Sequence, residues 1–214
     1  GHALLDCYEL LGNPKALELA IPIKEFIMND LRRKQEGEFF CFSYTPVDDD
    51  YVHNANLLGA SILIRLQKYV NDPMVVQTAL ASLAYSMKYQ QEEGSWYYAQ
   101  TAIQRWIDSF HTGFNLQALR WFVQEGYGQE YQPAYEKGVK YYVDNFFLED
   151  GTPRYYNNKT YPIDIHSPAQ AIYFFSGMGS KFRSLTDKVL AWTVNNMYSP
   201  KGYFYFRKNS WYTN

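Results

Sequence analysis

Apolar positions recur every three or four residues through most of the chain, and two kinds of segment carry that period. In Tyr51–Tyr69, Ala55, Leu58, Ile62 and Leu66 form one stripe. Leu57, Ile64 and the small residues Gly59, Ala60 and Ser61 lie beside it, so the helix is apolar on most faces and is expected to be buried. Residues 109–125 (Phe110, Phe114, Ala118, Leu119, Phe122) and 165–176 read the same way. Residues 73–91, 131–147 and 180–198 are amphipathic instead. Two helices precede these. Residues 1–11 place Leu4, Leu5, Tyr8 and Leu11 at helical spacing. Residues 14–33 do so with Leu17, Ala20, Ile21, Phe26, Ile27 and Leu31. Pro22 predicts a kink in this second helix, and Arg32, Arg33 and Lys34 suit its C-terminus. Short turns rich in Gly, Asn or Pro follow each buried helix, as at Asn13-Pro14, Asn71-Asp72-Pro73 and Gly126–Gly128.

Eight helices therefore alternate between an apolar and an amphipathic class. Each amphipathic helix leads into the next apolar one through a long aromatic loop opening with glycine: Gly37, Gly94, Gly151 and Gly202. These glycines are 57, 57 and 51 residues apart. A period of this size marks a repeat whose unit cannot bury its apolar face alone. The expected fold is all-α: helical hairpins in an inner and an outer layer, every long loop at one end, residues 1–214 forming one domain.

Composition narrows the function. Aromatic residues reach 19%, with 21 Tyr, 14 Phe and 5 Trp, an excess that suits either thick helix packing or a groove that stacks on flat ligands. The net charge of −2 argues against a nucleic-acid partner, which needs clustered Lys and Arg. No apolar run approaches the ~20 residues that span a bilayer. No leader segment is visible, which favours the cytoplasm. Cys7 and Cys41 have no metal-ligand spacing, and there is no nucleophile elbow, phosphate loop or dinucleotide fingerprint.

The candidate chemistry lies where the loops enter the apolar helices. His53, His111 and His166 recur there, 16, 17 and 15 residues after their glycines, with Asp50, Asp108 and Asp164 just before them. Imidazole serves as acid, base or ligand near neutral pH. The aspartates equally suit helix N-caps. Three converging histidines would also fit zinc, but no HExxH or CxxC supports that, and no metal or cofactor is expected. Two carboxylates among Asp48, Asp49, Asp50, Asp108 and Asp164 would serve glycoside hydrolysis. Alternatively, a His or Tyr base would take the proton beside a uronic acid carboxylate, with Arg105, Arg154, Asn54 or Asn115 neutralising it and Tyr155 or Tyr156 assisting. Trp96, Tyr97, Tyr98, Tyr155, Tyr156, Phe204 and Tyr205 follow their glycines closely and suit stacking on sugar rings or packing onto the helix ends.

The alternation and the aromatic loops resemble an α/α toroid, the six-hairpin architecture of many carbohydrate-active enzymes and terpenoid-cyclase-like proteins. More narrowly, Trp106–Leu119 (WIDSFHTGFNLQAL), Tyr155–Ile172 (YYNNKTYPIDIHSPAQAI) and Gly202–Asn214 (GYFYFRKNSWYTN) resemble a bacterial family found with extracellular-polysaccharide biosynthesis genes. The resemblance implies an incomplete toroid of about four hairpins. It also implies an oligosaccharide or polysaccharide partner, the remainder of the toroid as a further one, and chemistry of hydrolase, lyase or epimerase type. A non-catalytic helical scaffold that binds glycan or protein is the alternative.

Overall fold

The computed structural model describes residues 1–213. Among them the chain forms α1 (His2–Leu11), α2 (Pro14–Ala20), the short α3 (Ile23–Glu25), β1 (Arg33–Glu36), β2 (Phe39–Phe42), α4 (His53–Val70) and α5 (Pro73–Lys88). After these come α6 (Ser109–Gln124), α7 (Gln132–Phe146), β3 (Ile163–Asp164), α8 (His166–Ser176), α9 (Arg183–Met197) and β4 (Arg207–Lys208). Helices α1, α4, α6 and α8 make the inner layer, each paired with the outer helix that follows it. The four hairpins are the all-α, two-layer arrangement expected from the periodicity, and they match the incomplete toroid that the resemblance implies.

The turn signals act as their chemistry requires. Asn13 and Asp72 cap α2 and α5 through their side chains, each with proline in the first turn. The chain breaks at Ile21-Pro22, as the proline predicts. One large core runs through the last three hairpins, from Leu57 and Leu83 through Leu116 and Tyr142 to Phe174 and Val189. A smaller one, built on Leu5, Ala20 and Leu66, joins the first hairpin to α4.

Two expectations need correction. The second helix does not reach Arg33. It closes in a π-turn over Phe26–Asp30, and Leu31 is already extended. Arg33 and Lys34 belong to β1, which pairs antiparallel with β2 in the register Arg33↔Phe42. The hairpin forms because Phe40, Cys41 and Phe42 are buried there, while the charged strand keeps its outer face in water. Gly37 is accordingly a hairpin turn and not the first of four equivalent loop openings.

The other three glycines are equivalent. Gly94, Gly151 and Gly202 have φ of 106°, 89° and 89°, the region where glycine alone is unstrained. Each donates its N–H to the carbonyl three residues earlier, at Gln91, Leu148 and Ser199. A Cβ on Gly94 would lie 2.6 Å from the Lys137 carbonyl oxygen, and one on Gly151 would lie 2.6 Å from the Lys188 carbonyl carbon. Each of these turns therefore presses on the outer helix of the next hairpin. Gly202 meets no such neighbour among the described residues.

Successive loops are stitched to the inner helices by one recurring bond. His53, Ser109 and Ile165 donate their N–H groups to the carbonyls of Tyr98, Tyr155 and Phe206. This register makes Val52, Asp108 and Asp164 equivalent positions, and it places all the long loops at the N-terminal ends of α4, α6 and α8.

Candidate active site at the loop end of the inner helices

Asp108 precedes α6 in extended conformation, and its carboxylate accepts three hydrogen bonds. Oδ1 takes the backbone N–H of His111 at 2.9 Å, and Oδ2 takes Trp106 Nε1 at 2.9 Å and His111 Nδ1 at 2.7 Å. The aspartate is thus both the helix cap and the partner of the imidazole. A carboxylate can only accept, so His111 carries a proton on Nδ1, and in the neutral ring the lone pair is on Nε2. Tyr98 packs against the ring at 4.5 Å and stacks on Trp106 at 4.7 Å.

The next repeat copies the arrangement in a tighter spacing. Asp164 Oδ1 accepts both the backbone N–H of His166 at 3.0 Å and its Nδ1 at 2.6 Å. Arg207 lies 3.7 Å from the other oxygen, brought there by the pairing of β3 with β4. Both aspartates are nearly buried, while the two imidazoles keep exposed area, 21% for the His111 side chain and 54% for His166. Phe110 sits between them, its ring 5.3 Å from His111 and 5.2 Å from His166. Tyr155 is half-buried; burial first, then the nearby Asp108, Tyr156 and Asp164, push its phenol well above the ordinary tyrosine range and keep the O–H protonated. The two Asp–His pairs and Tyr155 thus lie together at the loop end of adjacent inner helices.

His53 does not join them. It is 1% exposed, with Nδ1 at 3.1 Å from Ser86 Oγ and Nε2 taking Gln100 Nε2 at 2.8 Å. Burial lowers its pKa to about 4, so it is neutral and structural. The cause lies in the register: His53 is the counterpart of Ser109 and Ile165, and the aspartate position holds Val52. Asp50 makes no bond to His53. Among the described residues no three His, Cys, Asp or Glu side chains group closely enough to hold a metal ion.

The expected ligand contacts divide in the same way. Trp96 is 2% exposed, packs against Gly138 and donates to the Ser86 carbonyl. It is core, because the loop needs a large apolar anchor there, and it cannot stack on a sugar. Asn54 and Asn115 are buried, each with an Oδ1 that no group meets. Arg154 turns inward toward the Asn145 carbonyl. Tyr97, Tyr155 and Tyr156 do reach open clefts. One, of about 260 Å³, is lined by Tyr97, Arg105, Trp106, Ile107, Tyr156 and two asparagines. The other, of about 240 Å³, is lined by Tyr155, Tyr156, Lys159, Pro162, Asp164 and Arg207. Lys159 and Arg207 escaped the sequence reading, since only strand pairing brings Arg207 to Asp164. A larger cavity of about 380 Å³ lies in the outer layer among Tyr135, Val139 and Phe182. It has neither Asp–His pair.

No protein-family model and no curated protein sequence matches the chain. Solved structures do share its fold. The chain is similar to cellobiose 2-epimerase from Bacillus thermoamylovorans, with a TM-score of 0.73 at 13% identity over 97% of this chain and 62% of that one. An α-mannanase from Bacteroides thetaiotaomicron gives 0.70 at 11% identity, over 98% of this chain and 59% of that one. Unsaturated glucuronyl hydrolase from Bacillus sp. GL1 gives 0.68 at 12%, over 98% and 64%. The chain spans about six-tenths of the length of each. It has the α/α-toroid fold that these carbohydrate-active enzymes share.

Proposed function

We propose that the chain belongs to an enzyme that moves a proton on a saccharide, an epimerase or lyase type of reaction, with His111 and His166 as its acid and base. The supporting observation is the repeated pair. Two imidazoles on adjacent inner helices, bonded through Nδ1 to buried carboxylates at 2.7 and 2.6 Å, each leave Nε2 without a hydrogen-bond partner. An oriented, proton-accepting nitrogen suits abstraction of a C–H proton beside a carbonyl or carboxylate. The second imidazole, carrying a proton on Nε2 as well as on Nδ1, would return a proton, and the protonated Tyr155 suits donation to the developing oxyanion. Hydrolysis by paired carboxylates is less well supported, because Asp108 already accepts three hydrogen bonds and Asp164 two. Asp108 and Asp164 act here as positioning residues. The resemblance to a family of extracellular-polysaccharide biosynthesis loci favours a polysaccharide or its precursor as substrate. The sharing of one fold by epimerase and glucuronyl hydrolase is compatible with either sugar chemistry.

The test is solvent exchange. Incubation with candidate disaccharides and oligosaccharides in D₂O should place deuterium on one ring carbon, read by NMR. His111→Gln and His166→Gln should each slow that exchange roughly 10²–10⁴-fold while leaving the melting temperature unchanged. Turnover with neither deuterium incorporation nor an unsaturated sugar product, or activity that survives both substitutions, rejects the assignment.

A further inference from the structure

The two clefts at the mouth share a wall, Tyr156, and their charges do not balance. The cleft beside His166 holds Lys159 and Arg207 against a single carboxylate, Asp164, which already receives two hydrogen bonds from His166. The neighbouring cleft holds Arg105 and no acidic side chain. Lys159 lies 4.7 Å from the face of Tyr156, and Arg105 lies 5.8 Å from that of Tyr97. Neither Lys159 nor Arg105 has a carboxylate partner among the described residues, and Arg207 shares Asp164 with His166. This local excess of positive charge stands in a chain whose net charge is −2. Two unpaired cations, with a third that only shares its carboxylate, in concave, aromatic-walled surface are an arrangement that recognises an anion attached to a ring.

We infer that the mouth takes an acidic saccharide, its carboxylate seated between Lys159 and Arg207 and a second acidic residue of the same chain lying across Tyr156 against Arg105. This deepens the proposed reaction and rests on the same mouth. A carboxylate held there lies beside His166, and neutralising it would favour loss of the proton on the adjoining carbon. The tyrosine faces supply sugar-ring contact, and Asn157 and Asn158 supply bonds to hydroxyls in the second cleft.

Binding tests this without turnover. The His111→Gln, His166→Gln double variant would be titrated by calorimetry with an oligoglucuronate tetrasaccharide, its carboxyl-reduced counterpart and polyglutamate. The acidic saccharide should bind at least tenfold more tightly than the reduced one. Lys159→Gln and Arg207→Gln should each erode that preference several-fold, Lys159 being the exposed position at which folding is not at stake. Arg105→Gln should weaken the tetrasaccharide and spare an acidic disaccharide. Equal binding of the reduced saccharide, polyglutamate binding as tight as the glycan, or a preference untouched by Lys159→Gln and Arg207→Gln would overturn the inference. Acidic binding with no deuterium exchange in the native chain would sink the proposed reaction and leave this inference standing. Exchange on a neutral saccharide with no acidic preference would do the reverse.

Discussion

At the scale of single residues, Asp108 shows how a cap and an orienting group become one side chain. All three of its partners are donors: the His111 amide, the Trp106 indole and His111 Nδ1. Asparagine caps helices about as well as aspartate in general, but here its amide must point a donor at a donor in either orientation. Asp108→Asn should therefore cost about 1–3 kcal/mol, the usual penalty for an unpaired buried polar group. With its oxygen kept on the cap, it should also push the His111 proton from Nδ1 to Nε2. Nitrogen chemical shifts of the ring would report that tautomer, and an unchanged ring would refute it. His53 predicts an opposite kind of behaviour. Its folded pKa of about 4 lies below the ordinary 6.5, so the unfolded chain binds a proton that the folded chain refuses. Its contribution is intact above pH 6.5 and falls as the pH drops, by about 3 kcal/mol on reaching pH 4. Denaturant titrations at pH 7 and pH 4 should show that loss, and His53→Gln should reduce it. His2, lowered to about 3 by burial and by Arg65, adds to the same slope. The sequence could pair both catalytic candidates with their aspartates, since those partners lie two and three residues away. It could not separate His53 from them, because the distinction is a shift of one or two residues in loop-to-helix register.

At the scale of elements, periodicity revealed nearly everything that is helical. The buried helices expected at 51–69, 109–125 and 165–176 are α4, α6 and α8 within two residues at most ends. The miss lay in residues 31–42, where charged and aromatic residues looked like a helix end followed by a loop. A four-residue hairpin gives too few positions for alternation to show, and its register depends on α4 and α5 beneath it: the Phe42 amide reaches Asn56, and Lys88 and Tyr89 hold Glu36. The glycine turns make a sharper prediction. Gly151→Ala and Gly202→Ala meet the same φ of 89°, yet only the first drives a methyl into the backbone at Lys188. Gly202→Ala should cost roughly 1 kcal/mol of backbone strain. Gly151→Ala should cost that and a further 1–3 kcal/mol of overpacking. Thermal melts of the two variants would compare them, and equal losses would show that the contact with the next hairpin carries no weight.

At the scale of the molecule, we expect the four hairpins to unfold as one domain held at its narrowest joint by Arg65. This guanidinium is fully buried in α4. It bonds Asp6 at 2.7 Å and Glu9 at 2.8 Å in the first hairpin and lies 3.9 Å from the face of Trp121 in the third. Arg65→Ala should cost about 1.5–3 kcal/mol, the worth of hydrogen bonds to charged groups lost together with the packing of its stem, since Asp6 and Glu9 stay partly in water. The loss should fall unevenly, because apart from Arg65 α1 is tied to the rest by the small core around Leu5, Ala20 and Leu66 and by a few contacts of His2, Tyr8 and Glu9. Hydrogen exchange should accelerate in residues 2–30 more than in α6–α9, and a uniform change would argue against the joint. The contacts at Gly94 and Gly151 have a different consequence. Each sets the glycine turn against the backbone and the base of the side chain of one outer-helix lysine, so it chiefly fixes a distance, like the thickness of a wedge between two stones of an arch. His111 and His166 stand on adjacent stones. Their separation is therefore a matter of curvature, set in part at turns that touch neither ring, and a methyl group added at Gly151 would open the arch and change the reach between two nitrogens it never meets.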